Sequence, residues 1–180
     1  LGHSQYIMRP VDARNCFALY ISHLHMPIES SRLLEPGGME ARMAGEYSST
    51  NIDPVAFENQ GRTGRIDVET ALATLGLRAS MGNGYEVNLL LPYIAHHGGF
   101  MDAYIESFHG FFPGGLPNGG REKVRHNDCH VESSGADGSV VMDSPKRGFA
   151  DPSLYAKKAF TRGVAGFALL VGMKPRVGER

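Results

Sequence analysis

The chain has 180 residues, with 18 Lys and Arg against 19 Asp and Glu, for a formal net charge of −1. A charge so near neutrality supplies no electrostatic drive toward nucleic acid and excludes a basic DNA-binding module. With 42% apolar and 21% charged residues, wholesale disorder is excluded. A helical membrane span is excluded too: it takes about 20 consecutive apolar residues, whereas the longest such run, Val164–Met173, has ten.

Glycine is abundant, at 23 of 180 residues, against a usual share of ~7%. That density favours turns over helices. Residues 1–36 are polar and punctuated by Pro. They are expected to form an N-terminal, plug-like extension with a short helix over Ile28–Leu34. From Met39 the chain alternates. Met39, Ala41, Met43 and Tyr47 take one face of a strand, and Glu40, Arg42 and Glu46 take the other. A second strand over Arg65–Arg78 sets Ile66, Val68 and Leu72 against Asp67 and Glu69. The Gly/Asn-rich stretch Ser80–Gly84 turns it into a third strand, Tyr85–Pro92, with Glu86 on its polar face.

The period then lengthens. Over Phe100–Phe112 the apolar residues fall in one helical sector, while Asp102, Glu106 and His109 fall in the opposite one. An amphipathic helix at about 99–112 is expected, preceded by Gly98-Gly99 and ended by Pro113. Further strands are expected over Glu122–Ser133 and Ser139–Asp143, with Asp137-Gly138 as a turn. A last hairpin pairs Asp151–Thr161 with Val164–Lys174. Residues 37–180 thus make an all-β, antiparallel meander. Alternation over about ten residues fits a partial outer-membrane-type barrel, or a soluble sandwich with its apolar faces turned inward. Leu1 is not an initiator Met and the final strand lacks a following arm, so the chain is expected to be an N-terminal piece of a longer protein, truncated at its C-terminus.

Several residue groups bear on chemistry. Cys16 and Cys129 form no CxxC pair and fit no disulfide framework; whether they pair stays open. His96, His97 and His109, with Asp102 and Glu106, could gather into a metal-dependent hydrolytic site, but adjacent strand residues point to opposite faces. His23 and His25, and His126 with His130 near Cys129, are weaker candidates, lacking zinc-site context. The plainer reading of Asp102, Glu106 and His109 is the polar side of a helix that anchors to a strand wall, with Arg121 as an ion-pair partner. Neither a phosphate loop nor a nucleophile elbow is present, so no cofactor and no catalytic residue is expected.

Certain blocks resemble a known family. Asp67-Val68-Glu69, Gly84-Tyr85-Glu86-Val87, Leu91-Pro92-Tyr93-Ile94, the stretch from Gly98 through Asp102 and Glu106 to His109, and Gly115 through Arg121 are similar to DUF3187, whose members resemble outer-membrane β-barrels. Upstream, Arg14-Asn15 and Leu19-Tyr20 resemble the family's R-N-x-x-P-L-Y stretch. Downstream, Gly148-Phe149-Ala150-Asp151 resembles its Gly-x-Gly-Asp segment. The resemblance spans about residues 10–178. It implies an outer-membrane location, with the periplasm as the alternative, lipid as the partner and no established activity. In that setting Glu40, Arg42, Glu46, Asp67, Glu69 and Glu86 are expected to line a wet lumen, with the helix as a partial gate.

Overall fold

A computed structural model describes residues 31–52, 63–112, 127–135, 138–162 and 165–177. They form one mostly antiparallel sheet and one short helix. The strands are β1 (Met39–Ile52), β2 (Thr63–Gly82), β3 (Tyr85–His97), β4 (His130–Gly135), β5 (Gly138–Met142), β6 (Lys146–Phe149), β7 (Ser153–Arg162) and β8 (Ala165–Met173); the helix, α1, is Met101–Gly110. The β2–β3 hairpin closes on Asn83-Gly84, with φ of 51° and 78°. Positive φ at both central residues matches the right-handed twist of the flanking strands.

The sheet is all-β as expected, but it forks where a plain meander would continue. β1 covers one edge of β2 from Met39↔Ala79 to Ile52↔Ile66. The other edge is shared: β3 takes Glu69 to Gly82 and β4 takes Thr63 to Asp67. β3 is shared in the same way, by β7 along Tyr85 to Leu90 and by β6 along Tyr93 to His96. The cause of the first fork is local. β3 ends at His97, and Gly98-Gly99 carry the chain out of the sheet into α1, which leaves the start of β2 for β4. Among the described residues the sheet is open and does not close into a barrel. Strand β6 is an addition to the expected elements. The described part of the Glu122–Ser133 segment becomes strand only at His130, and residues 31–34 of the expected Ile28–Leu34 helix are not helical.

β2 changes polarity along its length. At its start the even-numbered Ile66 and Val68 are buried with Cys129 and Val131, backed by Ile52 and Met142. On the same face further along, the buried side chains are Thr70, Leu72, Thr74 and Arg78, so polar groups now outnumber apolar ones. The odd-numbered face does the reverse. Asp67 and Glu69 give way to Ala71, Ala73, Leu75, Leu77, Ala79 and Met81, of which Leu75, Leu77 and Met81 are exposed. The switch falls at about Thr70.

Candidate functional site

Beyond Thr70, the even-numbered face of β2 gathers charge from three neighbours. Register places Glu40 of β1 beside Arg78, with Asn88 on its other side, and Lys157 of β7 beside Glu86 of β3. Glu86 is fully buried. Its carboxylate accepts from Arg78 Nε at 3.0 Å and from Arg78 Nη2 at 2.8 and 2.9 Å. Lys157 Nζ lies 3.9 Å from Glu86 and Arg78 lies 3.8 Å from Glu40. Two cations thus face two carboxylates, which offsets the cost of burying each. Arg42 shares this face and crosses over Gly76, where a Cβ would sit 3.0 Å from Arg42 Cγ. Glu46 shares it too, opposite Leu72. Glu40, Arg42, Glu46 and Glu86 therefore lie on one face, and Arg78 and Lys157, absent from the sequence-based set, complete it.

Residues 31–38 lie as a strap across this face. Ser31 rests against Gly166 of β8. The Arg32 carbonyl accepts from Lys157 Nζ at 3.0 Å, and Leu34 N–H donates to Glu86 Oε2 at 3.0 Å. The Gly38 carbonyl then accepts from Ser80 N–H at 2.9 Å as β1 begins.

The opposite face is apolar along its middle and open, with Lys158, over the Tyr85 ring, and Arg147, opposite Ala95, toward its two ends. Across β1, β2, β3, β7 and β8 it carries Met43, Leu75, Leu77, Leu89, Leu91, Leu154, Leu169 and Val171, with aromatic rings toward both ends. Tyr47, Tyr93 and Phe149 stand at the fork end, the last two edge to face at 5.3 Å. Tyr85, Phe160 and Phe167 stand at the hairpin end. Ala71 to Met81 spans ten steps, about 33 Å along the strand, or about 25 Å of height at a tilt of about 40°.

Asp67 and Glu69 lie on this apolar side, away from the charged face, so the six residues expected together along a lumen do not share one face. Parity decides it: Glu69 pairs with Ser49 and His97, and so shares a face with Tyr47 and Ala71. Glu69 is nevertheless 2% exposed, because α1 starts above it. Its carboxylate accepts from Phe100 N–H at 3.1 Å and Met101 N–H at 2.8 Å, and from the Tyr47 hydroxyl. The helix has no side-chain cap of its own. Glu69 supplies it from the sheet, placing negative charge at the positive end of the helix. Gly99, at φ +70°, admits this carboxylate, since a Cβ there would collide with it. A Cβ on Gly98 would collide with the Asn127 carbonyl. Asp102, buried, accepts from Asn127 N–H at 3.0 Å and ties the returning chain to the helix. Because α1 is seated on the apolar side, its expected role as a gate over the charged face is corrected too.

The DUF3187 model, that of a protein of unknown function, matches residues 4–162. The chain belongs to this family. No curated protein and no solved structure matches it. Within this DUF3187 chain, five of the motif residues come together at the fork: Asp67, Glu69, Gly98, Gly99 and Asp102. Glu106 and His109 follow on the polar side of α1, half-buried. Asp151 acts elsewhere, accepting from Val177 N–H at 2.8 Å. Gly115, Arg121, His126, Cys16, His23 and His25 lie outside the described residues. His96 and His97 diverge. His96 Nδ1 is 2.9 Å from Thr70 Oγ1 on the charged side, while the His97 ring meets Tyr47 at 5.6 Å on the apolar side. Among the described residues no group of three or more His, Cys, Asp and Glu could hold a metal ion. Burial, followed by the charges of Asp128 and Asp67, pushes the Cys129 thiol up from its ordinary value.

Proposed function

We propose that this DUF3187 chain forms part of a β-barrel of the bacterial outer membrane, with a pore-like or scaffolding role and lipid as its surrounding partner. One observation carries the reading: beyond Thr70 the sheet buries a cluster of charges, with Leu72, Leu90 and Tyr155 among them, and leaves Leu75, Leu77 and other hydrocarbon side chains exposed on its other face. In water a sheet gains by the opposite arrangement, at about 25 cal/mol per Å² of apolar surface buried. In a bilayer the exposed face meets acyl chains, and a polar interior is the rule for such barrels. The height of about 25 Å and the aromatic rings at both ends agree with a hydrocarbon band between two interfaces. No described helix is long and apolar enough to cross a membrane, so a crossing would fall to the strands.

The charged face would line the interior, narrowed by the strap at residues 31–38. Membrane fractionation of the complete reading frame, followed by gel mobility with and without heating, tests the reading. Recovery in the outer membrane with a heat-modifiable band is the expected result. Recovery as a soluble, detergent-free periplasmic protein would overturn it in favour of a sandwich that covers its apolar face. For the pore, Glu46→Lys is expected to shift ion selectivity toward anions in planar bilayers; unchanged selectivity would leave a scaffold.

A further inference from the structure

We propose that α1 is an interfacial anchor, lying in the headgroup–acyl boundary of the bilayer with its aromatic side in lipid. The inference rests on the membrane-spanning reading, but a separate observation supports it. The helix is inverted with respect to water. Phe100, Tyr104, Phe108 and Phe111 recur at three- and four-residue spacing on one side, and all four are exposed, Phe111 to 82%. The polar side is turned inward, with Asp102 5% exposed against Asn127, and Glu106 and His109 half-buried. A helix packed by a globular protein in water does the reverse.

Position selects the occupant. Glu69, which caps α1, stands two residues before Ala71, where the apolar band of β2 begins. The N-terminus of α1 is therefore fixed at the edge of that band, on its lipid side. One ring joins the band directly, Phe100 packing on Tyr47 at 5.5 Å, while Phe108 and Phe112 meet edge to face at 5.2 Å at the far end of the helix. Aromatic rings concentrate at this depth because an apolar body and a polar edge suit the boundary. Interfacial helices lie in the plane with the same division of faces. Gly98 and Gly99 permit the close turn, and the Glu69 cap sets the direction in which the helix leaves. The Glu69 cap at the edge of the band and the Phe100–Tyr47 contact favour lipid over a protein partner as the cover for these rings.

These 180 residues contain no Trp, so with any Trp elsewhere in the reading frame replaced by Phe, single reporters can be placed. Phe111→Trp reports on α1, and Leu75→Trp reports on the middle of the band. The intact protein is reconstituted into phosphatidylcholine vesicles brominated either near the headgroup end or near the methyl end of the acyl chains, and iodide is added as the aqueous quencher. The Phe111 reporter is expected to be quenched at least about twofold more by the shallow bromines than by the deep ones, with the Leu75 reporter showing the opposite order. Lipid quenching at position 75 with only iodide quenching at position 111 overturns the anchor and leaves the barrel standing. Quenching at position 111 without quenching at position 75 keeps the anchor and overturns the spanning strands. Iodide quenching alone at both positions overturns both.

Discussion

The two halves of β2 follow opposite rules. From Ile66 to Val68 the strand obeys water: apolar side chains are buried with Val131 and Cys129, and Asp67 and Glu69 take the other face. From Ala71 to Met81 the same strand, with no register break before Ser80, buries Thr74 and Arg78 along with Leu72 and exposes Leu75, Leu77 and Met81. The polarity of the two faces therefore exchanges at about Thr70, where α1 is pinned and the Tyr47 ring sits; under the membrane reading proposed above, this is where the strand would enter the bilayer.

The strongest way to break this comparison is to remove one of the two buried cations. Arg78→Met leaves Glu86 buried without its bidentate partner and should cost about 3–5 kcal/mol, measured as a lowered urea midpoint of the folded, heat-modifiable band. Adding Glu86→Leu should recover most of that loss; if it does not, the pair is not the source. Next, Leu77→Arg places a charge mid-band and should cost about 2–4 kcal/mol in bilayers. A loss under about 0.5 kcal/mol, typical of a water-exposed site, would mean that this face meets solvent. Ile66→Val tests the water-like half and should cost about 0.5–1.5 kcal/mol. Tyr47→Phe removes one hydrogen bond to Glu69 and should cost about 1 kcal/mol. Last, in a Cys16→Ser background, Cys129 should react with iodoacetamide at pH 8 well below the rate of a free thiol, since its raised pKa leaves little thiolate. Iodoacetamide labelling at the free-thiol rate would place Cys129 outside the small core.

Much of this was legible in the sequence. The alternation of Met39–Tyr47 with Glu40, Arg42 and Glu46 assigns β1 its two faces, and Asn83-Gly84 marks the hairpin. The placement of Asp67 and Glu69 was not legible, because a period of two gives relative faces within a strand and not which face is wet. Reading one apolar side for the whole of β2, from Ile66 and Val68, carries Asp67 and Glu69 onto the side of Glu40. The stretch Leu75-Gly76-Leu77-Arg78-Ala79-Ser80-Met81 held the missing signal, since its apolar residues are odd-numbered where Ile66 and Val68 are even-numbered. The forks at β2 and β3 were hidden for another reason: strand order depends on pairing between distant segments, and β4 and β6 are too short to declare their partners. Lys157 could be seen only once β7 lay beside β3.

The strap at residues 31–38 has a consequence for the order of assembly. Its bond from Lys157 to the Arg32 carbonyl joins residues 125 apart in the chain, so it cannot form until the β7–β8 hairpin has docked on β3. Glu86 holds Arg78 early, through a hairpin contact only eight residues apart, but it receives the Leu34 amide by a closure of 52 residues. Contacts of such separation slow folding, because loop entropy is lost before they form. On this ground the local pairs of the charged face are expected to form first and its N-terminal segment to seal it last.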